Sequence, residues 1–196
     1  MTSATTPAAT SRVSASFTPP KARIVEAALE LFTEHGVSGT SLQRIADAIG
    51  VTKAAVYHQY NTKEEIVLAV AEVVLAGLEA GVDAAEAERS RSRAREVLIA
   101  HMIDLAVESR RMAGILQRDP VMLRALDAHE PFRRVMERLN RLMMGGSSDP
   151  QARVRAAMII ACIGGAVIHP LVVDLDDESL RAEMLKQTRK LLPLRA

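Results

Sequence analysis

Residues Thr40 to Lys63, TSLQRIADAIGVTKAAVYHQYNTK, constrain the fold most. Leu42, Ile45, Ala46 and Ile49 recur at i, i+3, i+4 and i+7, one buried stripe of a short helix. Thr40 or Ser41 can cap that helix, and Gln43, three residues after Thr40, suits a capping box. Gly50 ends it where a left-handed backbone is cheap, and Val51 plugs the turn. Thr52 caps a second helix, Lys53 to Tyr60, with Val56 and Tyr60 facing inward. Thr62-Lys63-Glu64-Glu65 is a further capping-box start. Two helices joined by a tight glycine turn suit an all-helical core, and they also suit delivery of the second helix to the major groove of DNA.

The outward face separates these readings. Lys53, Ala54, Tyr57 and His58 point away from the stripe. Small Ala54 and Ala55 let a backbone approach closely, while Lys53, Tyr57 and His58 offer groups to phosphates and base edges. A merely solvated helix more often carries Glu/Lys pairs.

Residues 21 to 66 resemble the DNA-binding domain of TetR-type transcriptional regulators. The resemblance rests on Ile24, Ala27, Ala28, Leu31, Phe32 and Gly36, then Thr40-Ser41-Leu42 and Ile45-Ala46. It continues through Gly50-Val51-Thr52-Lys53, Val56-Tyr57-His58, Tyr60 and Lys63-Glu64-Glu65. Tyr60 stands where the family usually has phenylalanine, and Gln59 where histidine is frequent. The resemblance implies an all-α chain: a helix-turn-helix domain over residues 20–66, and a larger ligand-binding and dimerisation domain over 67–196. Residues 1–19, rich in Thr, Ser, Ala and Pro, read as a disordered tail.

It further implies a cytoplasmic, nucleoid-associated homodimeric repressor that leaves a palindromic operator in double-stranded DNA when a small molecule binds. Lys53 and His58 are then the candidates for base edges, with Ala54 and Ala55 against thymine methyls. Ser41, Thr52, Tyr57 and Lys63 are candidates for phosphates. Gln43 either caps its own helix or reaches a base. An architectural DNA-binding protein of the same fold, without a ligand, is the alternative.

Charge gives the DNA reading little help. Formal net charge is +1 over 196 residues. Over residues 1–63, six Lys or Arg face four acids. Phosphate contacts therefore lean on hydroxyls and helix N-termini as much as on cations. The single cysteine, Cys162, excludes an internal disulfide, suits a reducing compartment and reads as core packing. The apolar run Ala156 to Val173 contains His169 and Pro170 and reads as a buried helix, not a membrane span.

Helical periodicity continues to the end of the chain. Pro19-Pro20 opens a helix to about His35, and another runs from Lys63 towards Ala87. Arg89, Arg91, Arg93 and Arg95 mark either a solvated helix junction, with Glu86, Glu88 and Glu96 as partners, or a second nucleic-acid patch. His101, Asp104 and Glu108 share one helical face, which is either ordinary polar surface or, with His129 or His169, a metal site; no metal or cofactor is expected. Pro120 and Pro131 divide residues 111–145 into short helices.

Ala157, Ala161 and Gly165 place small residues on one stripe of a helix over about 150–168, which permits close helix approach. An intramolecular core would use such a stripe equally well. The resemblance points instead to a dimer interface, completed by Leu180, Met184 and Leu191 of the last helix. The region after residue 67 has one aromatic, Phe132, and eight methionines. Met102, Leu105, Met122, Phe132, Met136 and Met158 are therefore candidates to line an adaptable lipophilic ligand site, or are plain core. No nucleophile motif, glycine-rich phosphate loop or paired metal signature is present, so no enzyme is expected.

Overall fold

The computed structural model describes residues 16–191; the side chains of residues 111, 116–118 and 191 lie outside that description, as do residues 1–15 of the tail expected over residues 1–19. Ten α-helices and one 3-10 turn make up the described secondary structure, with no strand among the described residues. The helices are α1 (Pro19–His35), α2 (Leu42–Ala48), α3 (Lys53–Gln59), α4 (Lys63–Glu86), α5 (Arg91–Glu108), α6 (Arg110–Arg118), α7 (Pro120–Ala128), α8 (Glu130–Met144), α9 (Pro150–Ala166) and α10 (Asp177–Leu191). No described helix is long and apolar enough to cross a membrane.

The chain divides into two compact units. One contains the residues up to Val74 together with Gly114–His129; the other contains Leu75–Ala113 and Glu130 onward. Residues 114–129, assigned from sequence to the second domain, thus cluster with the first.

In the first unit, α2 packs on α3 and both pack on α1. Val25, Ala28, Phe32, Ile45, Val56 and Ile66 fill the space between them, each almost wholly removed from water. Gly50 has φ 69°, the left-handed value that lets the chain leave α2 and enter α3 within a few residues. The cap of α2 is Ser41, whose Oγ accepts the Arg44 N–H at 3.2 Å. Thr40 is buried and donates its hydroxyl to the Gly36 carbonyl at 2.9 Å. The capping box expected of Thr40 and Gln43 does not form, because Ser41 holds the cap position. Gln43 instead donates to Asp47, one turn on, at 2.7 Å.

In the second unit, Leu98, Ile103, Val107, Leu139, Met143, Ile159, Ile163, Leu180 and Met184 form one core. The polar ties are arginines. Arg110 donates to the carbonyls of Val167, Val172 and Leu175 and to the Asp177 carboxylate, fixing the segment between α9 and α10. Arg138 of α8 bridges Asp83 and Glu86 near the end of α4 at 2.6 and 2.7 Å, and this bond holds the Glu86 carboxyl below its ordinary pKa.

Candidate nucleic-acid interface

The geometry of α3 follows from its two ends and its two faces. Thr52 Oγ1 accepts the Ala55 N–H at 3.2 Å, which sets where the helix begins. Val56 and Tyr60 are buried and anchor the inner face. Lys53, Ala54, Ala55, Tyr57 and His58 are all exposed on the other side. Seven residues span about 10 Å, a length that the major groove accommodates. The Lys53 ammonium lies 5.5 Å from the centre of the exposed Tyr57 ring, so charge and hydroxyl share one edge of the helix. His58 lies beside Gln59, with ring and amide nitrogens 3.4 Å apart.

Tyr60 is the inward counterpart. Lys21 of α1 sits 5.2 Å above its ring, and its buried hydroxyl has no hydrogen-bond partner among the described residues. Burial first, then the charges of Glu72 and Glu65, push the phenol up to about 12.

One expected phosphate ligand is engaged elsewhere. The half-buried Lys63 ammonium donates to the carbonyls of Val37 at 2.9 Å and Thr40 at 3.2 Å, clamping the loop that leads into α2. Lys63, expected at a phosphate, is brought by the first turn of α4 to these two carbonyls instead, and the Val37 carbonyl also accepts the Thr40 N–H at 3.3 Å. Arg44 likewise donates to Gly39 O, and Arg23 to Ile49 O. Three cations of this unit therefore fasten its loops. Sequence spacing did not reveal this, because the carbonyls concerned lie 5 to 26 residues away.

The start of α4 is built by Thr62, whose Oγ1 accepts the Glu65 N–H. Glu65 reaches back to the Asn61 N–H at 2.8 Å, one residue earlier than a simple capping box requires. Asp119 was also missed from sequence. Its carboxylate accepts from Val121 and Met122 at the start of α7 and from Val37 in the loop after α1.

The expected ligand residues do not come together as one group. Met102 is in the core of the second unit, with Phe132 and Met136 packed against that core, and Leu105 is buried. Met122 is wholly buried in the other unit, and Met158 is 57% exposed. A cleft of about 590 Å³ is lined by Asn140, Met144, Pro150, Arg153, Val154 and Ala157 among others, but by none of the six candidates.

The expected dimer residues also divide. Leu180 and Met184 fill the unit's own core and are not on its surface, because α10 turns that face onto α5. The Leu191 side chain lies outside the described residues. On α9, by contrast, Val154, Ala157, Met158, Ala161 and Cys162 are all exposed, at i, i+3, i+4, i+7 and i+8, with Gly165 half-buried one turn on. Cys162 is therefore a surface residue, not core packing. Asp104 and Glu108 face Arg181 at 2.8 and 3.6 Å, while His101 Nδ1 lies 3.0 Å from the Val97 carbonyl. Among the described residues, no three acid, histidine or cysteine side chains are grouped to hold a metal.

Residues 24–70 match the family model for bacterial regulatory proteins of the tetR family. Over 48 residues the chain is 50% identical to the HTH-type transcriptional regulator SrpR of Pseudomonas putida, covering 24% of this chain and 22% of that protein. Over 46 residues it is 41% identical to the Staphylococcus epidermidis negative transcriptional regulator of the icaADBC biofilm operon, IcaR, covering 24% and 25%. The matched part is thus about a quarter or less of each of these two relatives. Likeness of fold extends further. The ketosteroid transcriptional regulator KstR2 of Mycobacterium tuberculosis superposes with a TM-score of 0.70 over 89% of this chain and 95% of its own, at 17% identity. The Thermus thermophilus regulator PfmR gives 0.64 over 86% and 95%, at 23% identity.

Proposed function

From the premise that this chain belongs to the TetR family of bacterial regulators through its helix-turn-helix domain, we propose that it is a homodimeric transcriptional repressor. It grips a palindromic operator with two copies of α3 and lets go when a small molecule binds its second unit. The observation that carries this reading is the outer face of α3. It is an exposed Lys53-Ala54-Ala55-Tyr57-His58 surface on a helix whose opposite side is locked into a core. The two alanines bring the helix backbone close to the bases, Lys53 and His58 read their edges, and Thr52 and Tyr57 meet phosphates. Ser41 caps α2, but its exposed hydroxyl keeps lone-pair and donor capacity for a phosphate at the groove edge.

Two heads are required because one carries little charge. The exposed apolar stripe of α9 supports the pairing. Val154 and Met158 are both more than half exposed, an arrangement that costs free energy unless a second surface covers it. A two-fold pairing of α9 against its copy covers it and sets the spacing of the two recognition helices. The ligand acts by favouring the spacing that does not fit the operator.

The test is a footprint of the purified protein on DNA from upstream of its own gene, together with a genome-wide occupancy map. A protected palindrome at few sites supports the repressor. Broad occupancy without a shared motif supports an architectural role and rejects the repressor. Relief of repression is checked by adding candidate lipophilic compounds to the footprinted complex.

A further inference from the structure

We propose that the cleft formed by the end of α4, the start of α5 and the turn between α8 and α9 binds an oxyanion, the phosphate or carboxylate group of a small molecule. The cleft encloses about 300 Å³, and Arg89, Arg91, Arg141, Glu86, Glu88 and the Gly145-Gly146 turn are among its lining. It lies wholly within the second unit.

The arginine run, read from sequence as a helix junction or a second nucleic-acid patch, does not act as one group. Arg93 behaves as a junction residue should, pairing with Glu88 at 3.8 Å and Glu96 at 3.2 Å. Arg91 and Arg95, one turn apart on α5, instead turn towards the glycines. Arg91 donates to the Gly145 carbonyl at 3.1 Å. Its guanidinium lies 3.7 Å from where a Cβ on Gly146 would stand. The Arg95 guanidinium is 3.6 Å from the corresponding point on Gly145. Both glycines have positive φ, 64° and 82°, so the turn presents bare backbone to two guanidinium groups.

Arg95 points to a ligand. It is only 8% exposed, and among the described residues its buried Nε has no hydrogen-bond partner and no ion pair engages its guanidinium. A buried guanidinium without a counter-charge is costly, and the general remedy is a paired anion. The acids at hand are committed: Glu86 to Arg138, and Glu88 to Arg93. Neither Arg89 nor Arg141 forms an ion pair with a described residue, which leaves the cleft with a surplus of cations. Planar guanidinium forks match the oxygens of a phosphate or carboxylate in pairs. Arg91 lines the cleft directly, and Arg95 lies behind the Gly145 backbone that lines it, so the two guanidinium groups set its positive potential from the wall and from beneath. The proposal does not depend on the DNA reading: an anion held here without effect on operator affinity leaves it intact.

The experiment is calorimetric titration of the full chain with inorganic phosphate and, separately, with propionate, each against chloride at equal ionic strength. Saturable binding of either anion, weakened at least tenfold in both Arg91→Gln and Arg95→Met, is the expected result, and the tighter of the two identifies the headgroup. Exposed Arg91→Gln decides the matter alone if Arg95→Met does not fold. Binding that survives Arg91→Gln unchanged overturns the proposal. So does the absence of any response beyond that of chloride. In that event the two arginines serve only to lay their alkyl stems over the core.

Discussion

The Asp119 carboxylate accepts the Val37 backbone N–H at 2.9 Å, 82 residues away in sequence, while its other oxygen caps α7 through Val121 and Met122. One side chain thus fixes the loop after α1 and the first turn of α7, and Val37 is itself fully buried. Asp119→Ala leaves the Val37 N–H and the α7 cap unsatisfied together, and should cost about 2–3 kcal/mol of unfolding free energy. Urea denaturation checks this; a change below about 0.5 kcal/mol would mean that water replaces the carboxylate at both places.

Tyr57 is 45% exposed, so Tyr57→Phe should leave thermal stability unchanged while weakening operator binding. A lost hydroxyl–phosphate bond is worth about 1–2 kcal/mol per head, roughly tenfold in affinity. Fluorescence anisotropy on the footprinted operator measures it, and equal affinity removes Tyr57 from the contact set.

Lys63 and Lys53 should respond differently to salt. Lys63→Met breaks the clamp on Val37 and Thr40 and should lower stability by about 1–2 kcal/mol, with the salt slope of operator binding unchanged. Lys53→Met should keep stability and reduce that slope by about 1 for each head. A reduced slope in Lys63→Met would put its ammonium back on a phosphate.

Tyr60→Phe removes a buried hydroxyl that has no partner among the described residues, so the variant should be as stable as the parent or more stable by roughly 1 kcal/mol. The pH profile gives a second readout. The free phenol ionises near 10.0 and the folded one at about 12. Between those values the unfolded chain has lost the proton and the folded chain keeps it. The unpartnered phenol therefore adds no pH dependence below pH 10.0, and stability falls as pH rises from there towards 12, because burial resists its ionisation. Melting curves of the variant should lack this part of the alkaline decline; an identical decline would assign it to other groups.

Ala161→Glu places a carboxylate in the middle of the apolar stripe of α9. Burying it against a second copy should raise the dimer dissociation constant at least about a hundredfold, with the monomer fold intact because Ala161 is exposed. Sedimentation equilibrium reads the outcome, and an undiminished dimer would move the interface off α9.

Much of this was legible in the sequence because it is local. The helix starts at Pro19, Thr52 and Thr62, the inward Val56 and Tyr60, and the outward face of α3 all follow from spacing and capping within one or two turns. What was not legible was long-range or two-sided. Lys63 is expected at a phosphate, and its position in the sequence gives no sign of the Val37 and Thr40 carbonyls that accept from its ammonium. Leu180 and Met184 looked like an interface because an apolar helix face reads the same whether its partner is another helix of the same chain or a second molecule. Cys162 looked buried because α9 is apolar on both faces. The roles of Arg110 and Arg95 rest on contacts to α9–α10 and to the α8–α9 turn, which no periodicity encodes.

The exposed stripe of α9 carries no charge among Val154, Ala157, Met158, Ala161 and Cys162. Interfaces that must reject near-relatives commonly place like charges against the wrong partner, and this stripe has no such means. If two copies pair along it, fidelity to self rests on how closely the small residues mesh. A cell that makes a paralogue with a similar small-residue helix would then produce mixed pairs, whose two unlike heads read a site that is no longer a palindrome.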